Sequence, residues 1–178
     1  MKMKDLLIIS DIDLNGICIS TKESLKIDIN ENSRIQTLLW IHEECTPVAY
    51  RIYHKKDTKR RNKNFVELLD EAKERNLDIQ LVCLETHYAT LDNLKHIKRL
   101  GWQFLGQFKA SRRIKLDPKQ SFFKLNEIEI SKQGTIVYLN SYGYIKVFKN
   151  TSDLVHSYFA TSLLNEDLKQ AFKILTRS

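Results

Sequence analysis

Between Leu81 and Lys109 the chain alternates apolar runs and polar stops in a pattern that few folds accommodate. Ile79 to Leu84 is a short apolar stretch that ends at a lone carboxylate, Glu85. An amphipathic run with Leu91, Leu94, Ile97 and Leu100 follows; Thr90 can cap it, and it stops at Gly101. Trp102 to Phe108 is a second apolar run, and it ends at Lys109. The periodicities read as strand, acid, helix, strand and base. In open α/β sheets the chemistry gathers at the carboxyl ends of the strands, so Glu85 and Lys109 are expected on one sheet edge.

The flanking segments extend this reading. Leu6-Leu7-Ile8-Ile9 suits a buried strand closing on Ser10-Asp11-Ile12-Asp13, with residues 15–20 able to extend it as a hairpin. Residues 21–33 are polar and read as loop. Arg34 to His42 and Val48 to Tyr53 read as a second and third strand around a turn at Glu43-Glu44-Cys45, close enough to be antiparallel. Phe65, Leu68, Leu69 and Ala72 place a helix over Asn62 to Arg75. Three antiparallel strands, helix, strand, helix and strand make a ribonuclease H-like α/β layout, a mixed sheet with helices on its faces. Residues 119–162 read as a β-rich insertion, with short runs at Phe122-Phe123, Ile128–Ile130, Ile136–Leu139, Tyr144–Phe148 and Ser157–Thr161. Asn165, Glu166 and Asp167 then open a last helix carrying Leu168, Ala171, Phe172 and Leu175. At 178 residues the chain is expected to be a single domain.

Charge narrows the partners. Lys and Arg number 29 against 22 Asp and Glu, a net +7, which favours a polyanion. Lys55, Lys56, Lys59, Arg60, Arg61 and Lys63 fall within nine positions, and Lys109, Arg112, Arg113 and Lys115 follow the Phe108 strand. Both groups could hold backbone phosphates; both also suit a solvated surface. No apolar run reaches the ~18 residues of a membrane span, and the first is too short for a signal peptide, so a cytoplasmic location is expected. Cys18, Cys45 and Cys83 include no C-x-x-C pair, which argues against a disulfide framework or structural zinc and for small buried hydrophobes. His42, His54, His96 and His156 show no metal-ligand spacing.

Phosphodiester chemistry commonly uses two divalent ions about 4 Å apart, held by carboxylates from different strands. Asp11 or Asp13 and Glu85 are the candidates, and oxygen ligands suit Mg²⁺ or Mn²⁺. Asp11 and Asp13 are equally ordinary turn residues after a strand. His87 and Tyr88, beside Glu85, are candidates to touch substrate.

From about Gln36 onward the wording resembles the catalytic core of bacterial DDE insertion-sequence transposases, the group with a β-rich insertion after the fifth strand. Thr46-Pro47-Val48-Ala49-Tyr50-Arg51-Ile52-Tyr53 resembles their third strand, and Asp57-Thr58-Lys59 with Lys63-Asn64-Phe65 their Lys-rich entry to the first helix. Glu85-Thr86-His87-Tyr88-Ala89-Thr90 resembles their second-aspartate block. Leu100-Gly101-Trp102-Gln103-Phe104, Lys109-Ala110-Ser111-Arg112 and His156-Ser157-Tyr158-Phe159-Ala160-Thr161 are similar to later family segments in the same order.

The resemblance implies Asp11, Asp13 and Glu85 as catalytic positions, with Asp11 and Glu85 as the metal pair. Charge clustering gives Lys59, Arg60, Arg61, Lys63, Lys109, Arg112 and Arg113 as the candidate DNA-binding positions. Three departures qualify the resemblance. The second aspartate is Glu85, a methylene longer where ~1 Å can cost 10²-fold. The Asp-Asp-Thr block has only Ser10-Asp11-Ile12-Asp13 as counterpart, and the family's third acid falls beyond Ser178. The expectation is a truncated, catalytically impaired core that binds DNA, in a bacterial cytoplasm and on the nucleoid when DNA-bound. Its other partners would be itself or a full-length transposase, with no membrane and no small-molecule cofactor. The alternatives are an active metal-dependent nuclease using Asp11, Asp13 and Glu85 with Mg²⁺ or Mn²⁺, and a non-catalytic module that inhibits the full-length enzyme.

Overall fold

A computed structural model describes residues 6–12, 33–41, 45–152 and 155–165. The first three strands are β1 (Leu6–Ile12), β2 (Ser33–Ile41) and β3 (Cys45–His54), followed by helix α1 (Thr58–Glu74). Strand β4 (Leu81–Leu84), helix α2 (Leu91–Arg99) and strand β5 (Gln103–Phe108) complete the first half. A two-residue ribbon, β6 (Arg113–Ile114) with β7 (Phe123–Lys124), precedes β8 (Thr135–Leu139), β9 (Gly143–Ser152) and β10 (Val155–Thr161).

Eight strands form one sheet in the order β3-β2-β1-β4-β5-β10-β9-β8. β2 runs antiparallel to both β1 and β3, whereas β1, β4 and β5 are mutually parallel. This is the ribonuclease H-like arrangement expected from the sequence. Alternation along the strands separates two apolar faces. Leu7, Ile9, Leu38, Val82, Leu84 and Phe104 share a cluster with Phe65, Leu68 and Leu69 of α1 and Leu94 and Ile97 of α2. Leu6, Leu81, Cys83 and Leu105 bury the opposite face. All four residues of β4 are buried, as a central parallel strand requires. Cys83 behaves as the expected hydrophobe, and burial pushes its thiol up to about 12.

Several boundaries move. Helix α1 begins at Thr58 rather than Asn62, because the Asp57 carboxylate accepts from the Arg60 amide at 2.8 Å and caps a turn whose residues are too charged to show periodicity. Strand β3 begins at Cys45 rather than Val48; it is an edge strand, which tolerates Pro47. Ile128–Ile130 is not a strand, and Leu125–Glu127 is a single 3₁₀ turn. Strand β10 pairs with β5, so that β8–β10 extend the main sheet. The anticipated hairpin at 15–20 and the last helix from Asn165 onward fall outside the described residues, apart from Asn165 itself.

Helix α2 stops as expected, with Gly101 at φ +84° immediately after its last turn. The parallel core is tight at Gly106, where an added Cβ would lie 3.0 Å from Leu84 Cδ1 and Cγ. Gly106→Val should lower stability by about 1–3 kcal/mol in urea unfolding, because the branched side chain overpacks the β4–β5 seam. An unchanged midpoint would contradict this packing.

Candidate nucleic-acid interface

Strand register defines the edge. Ile9 of β1 pairs with Leu84 of β4, and Leu84 pairs with Gly106 of β5. Three parallel strands therefore end together, with Asp11 two residues beyond Ile9, Glu85 next after Leu84, and Lys109 directly after β5. Asp11 also registers with Gln36 near the start of β2. β3 closes on the same edge, because His54 registers with Ser33, so the start of α1 lies there as well. Asp13 falls outside the described residues, and for Asp11 the structure describes only the strand position.

Glu85 opens a turn in which the Tyr88 amide donates to its carbonyl at 3.0 Å. His87 Nδ1 lies 3.6 Å from Glu85 Oε2. The turn delivers the chain to Thr90, whose hydroxyl accepts from the Asn93 amide and caps α2. Tyr88 is fully buried and stacked on Phe65, with ring centroids 5.1 Å apart. The Arg61 guanidinium lies over the same ring, 5.9 Å from its centroid.

A cavity of about 430 Å³ opens at this edge, with Arg61, His87, Lys109, Ser111, Arg112 and Arg113 in its wall. Among the described residues of its wall, four are Lys or Arg and none is a carboxylate. Among the described residues, no ion pair is formed by any of those four cations. Arg112 is held firmly: its Nη1 donates to the Ala89 carbonyl at 3.2 Å, and its guanidinium lies 5.0 Å from the Phe108 ring centroid. Burial lowers its pKa from the ordinary arginine value, so an anionic ligand would relieve an existing cost. The basic segment is braced from behind, where the Leu125 and Asn126 amides donate to the carbonyls of Arg112 and Ala110.

Not every anticipated cation converges here. Lys59 and Arg60 are exposed on the first turn of α1, outside the cavity wall. Lys63 points to Glu67 at 3.5 Å. Among the described residues, no three His, Cys, Asp or Glu side chains form a group that could hold a metal ion.

Two polar residues at this edge escaped the sequence reading. Gln36 and Asn64 are fully buried, and among the described residues neither side-chain amide finds a hydrogen-bond partner. Asn64 carries a legible signal, because it stands four residues before Leu68 on the apolar stripe of α1. Phe122 and Asn140, discussed below, were also missed.

No family model matches the chain, and no curated protein matches it. Among solved structures, a piggyBac transposase in a synaptic complex with hairpin DNA is similar at 10% identity and a TM-score of 0.49, covering 92% of this chain and 34% of that one. The Marinitoga piezophila Argonaute with guide RNA and target DNA is similar at 9% identity and 0.37, covering 97% and 26%. This chain thus spans about a third of the transposase and a quarter of the Argonaute. Its own strand order and helix placement make it a ribonuclease H-like α/β domain with a cationic cavity at the carboxyl edge.

Asn64→Leu should leave stability unchanged or raise it by about 1 kcal/mol, since it removes a buried amide that makes no hydrogen bond among the described residues. A loss of that size in chemical denaturation would show that the amide holds a structural partner.

Proposed function

We propose that the chain binds DNA by its phosphate backbone, on the carboxyl edge of the sheet, as a transposase-derived core with impaired strand cleavage. The observation that carries this reading is the convergence of Arg61 from α1 with Lys109, Arg112 and Arg113 from the segment after β5 on the wall of one cavity. Cations gathered from distant parts of the chain suit a phosphate ligand, and phosphate contacts supply affinity without reading bases. A partial desolvation of Arg112 strengthens its pull on an anion. Impaired cleavage is supported by Glu85, the longer acid, lying beside His87 outside the cavity wall.

DNA affinity is expected to fall steeply with salt. Lys109→Ala with Arg113→Ala should flatten the slope of log K against log salt by about 2, one for each phosphate contact removed. Fluorescence anisotropy across a salt series measures this. Binding that ignores salt, or a double variant with the parental slope, would overturn the reading.

The register of β1 with β4 favours a second reading, an active metal-dependent nuclease. Asp11 and Glu85 stand at the same end of adjacent parallel strands, which suits a pair of oxygen ligands for Mg²⁺ or Mn²⁺. Such ions would supply Lewis-acid stabilisation of the phosphoryl oxygens. Nicking of supercoiled DNA that requires Mg²⁺ or Mn²⁺ and disappears in Glu85→Gln would establish this reading over the impaired core. Equal traces of nicking in the parent and the variant would remove it.

A further inference from the structure

A second cavity of about 320 Å³ adjoins the cationic one, and the two share Leu91, Arg112 and Arg113 in their walls. The second compartment has a different chemistry. Phe122 and Leu139 line it with Leu91, and Asn140 adds an amide with donors and an acceptor. Phe122 remains 39% exposed although it is a large apolar side chain. Its ring is attended by two cations, with Arg113 Cζ 4.4 Å and Lys115 Nζ 4.7 Å from the centroid. The ribbon pairing of Arg113 with Lys124 and of Ile114 with Phe123 fixes Phe122 beside the basic segment.

An anion-binding compartment adjoining an aromatic one with a polar rim matches the two halves of a nucleotide. We infer that the adjoining cavities take one unstacked nucleotide, its phosphate against Lys109 and Arg112 and its base on the Phe122 ring. This rests on the phosphate reading above and extends it to the form of the strand, because a base stacked inside a duplex presents no free face to Phe122. Stacking of a base on an aromatic ring is stronger than an exposed cation–π contact, so an arriving base can displace Arg113 or Lys115 from the ring. The displaced cation then lies where the phosphate enters. The nucleotide could be free or part of a single strand; the chemistry recognised is the same.

The test uses a labelled homothymidine oligonucleotide and a duplex of matched length, with the whole chain, at one salt concentration. Phe122→Leu keeps an apolar side chain but removes the ring. It should weaken single-strand binding by about tenfold, as loss of one base–aromatic stack does, and leave duplex binding unchanged. Phe122→Trp should restore single-strand affinity. Equal single-strand affinity in Phe122→Leu and the parent, or equal losses on both substrates, would overturn the inference. In that outcome a salt-dependent duplex affinity would leave the phosphate reading standing, whereas salt-independent binding of both substrates would remove it too. Competition by thymidine 5′-monophosphate that is lost in Phe122→Leu would assign the site to a free nucleotide. Its failure, with the Phe122 effect on the oligonucleotide intact, would assign the site to a nucleotide within a strand.

Discussion

Everything at the functional edge depends on the parallel pairing of β1, β4 and β5. The row Ile9, Leu84 and Gly106 locks three strands in register, and the close approach of Gly106 to Leu84 leaves no room for slippage at that seam. A one-residue shift would turn every buried side chain of β4 to the opposite face. With the register held, the chain beyond β4 and β5 has to emerge on one side. His87 after β4 and Lys109 and Arg112 after β5, more than twenty positions apart in sequence, line one cavity because of that pairing.

The helices then supply the rest of the site. Arg51 of β3 ties α1 to the sheet, with its Nη2 donating to Glu71 at 2.9 Å and its Nε 3.9 Å from Glu67. That contact, the Asp57 cap and the burial of Phe65 and Leu68 fix where Arg61 comes down over Tyr88. Glu67 and Glu71 of α1 are taken up by Arg51, Lys63 and Arg75, and Asp70 by His96 of α2. Charge alone would have put the chain near a polyanion; the packing decides which cations can act on one phosphate.

Much of this was legible in the chain. The apolar runs ending at Glu85 and Lys109, the Thr90 cap and the Gly101 stop are local signals, and each appears in the structure where the residues placed it. The start of α1 was not, because Thr58 to Arg61 carries charge without period and only the Asp57 hydrogen bond reveals it. The packing of Tyr88 was not legible either, because its ring stacks on a phenylalanine more than twenty positions away. The pairing of β10 with β5 and the approach of Arg113 to Phe122 are long-range pairings, which strand-like wording cannot specify. The site was therefore readable in its chemistry and only partly in its membership.

A nucleic-acid phosphate held at the carboxyl edge of the parallel strands would register in amide chemical shifts as a short DNA is titrated into the whole chain. The largest changes should fall on residues 85–90, on residues 109–113 and at the start of α1 around Arg61. Changes concentrated instead along β3, or on the outer face of β8 and β9 around Tyr138 and Tyr144, would contradict it.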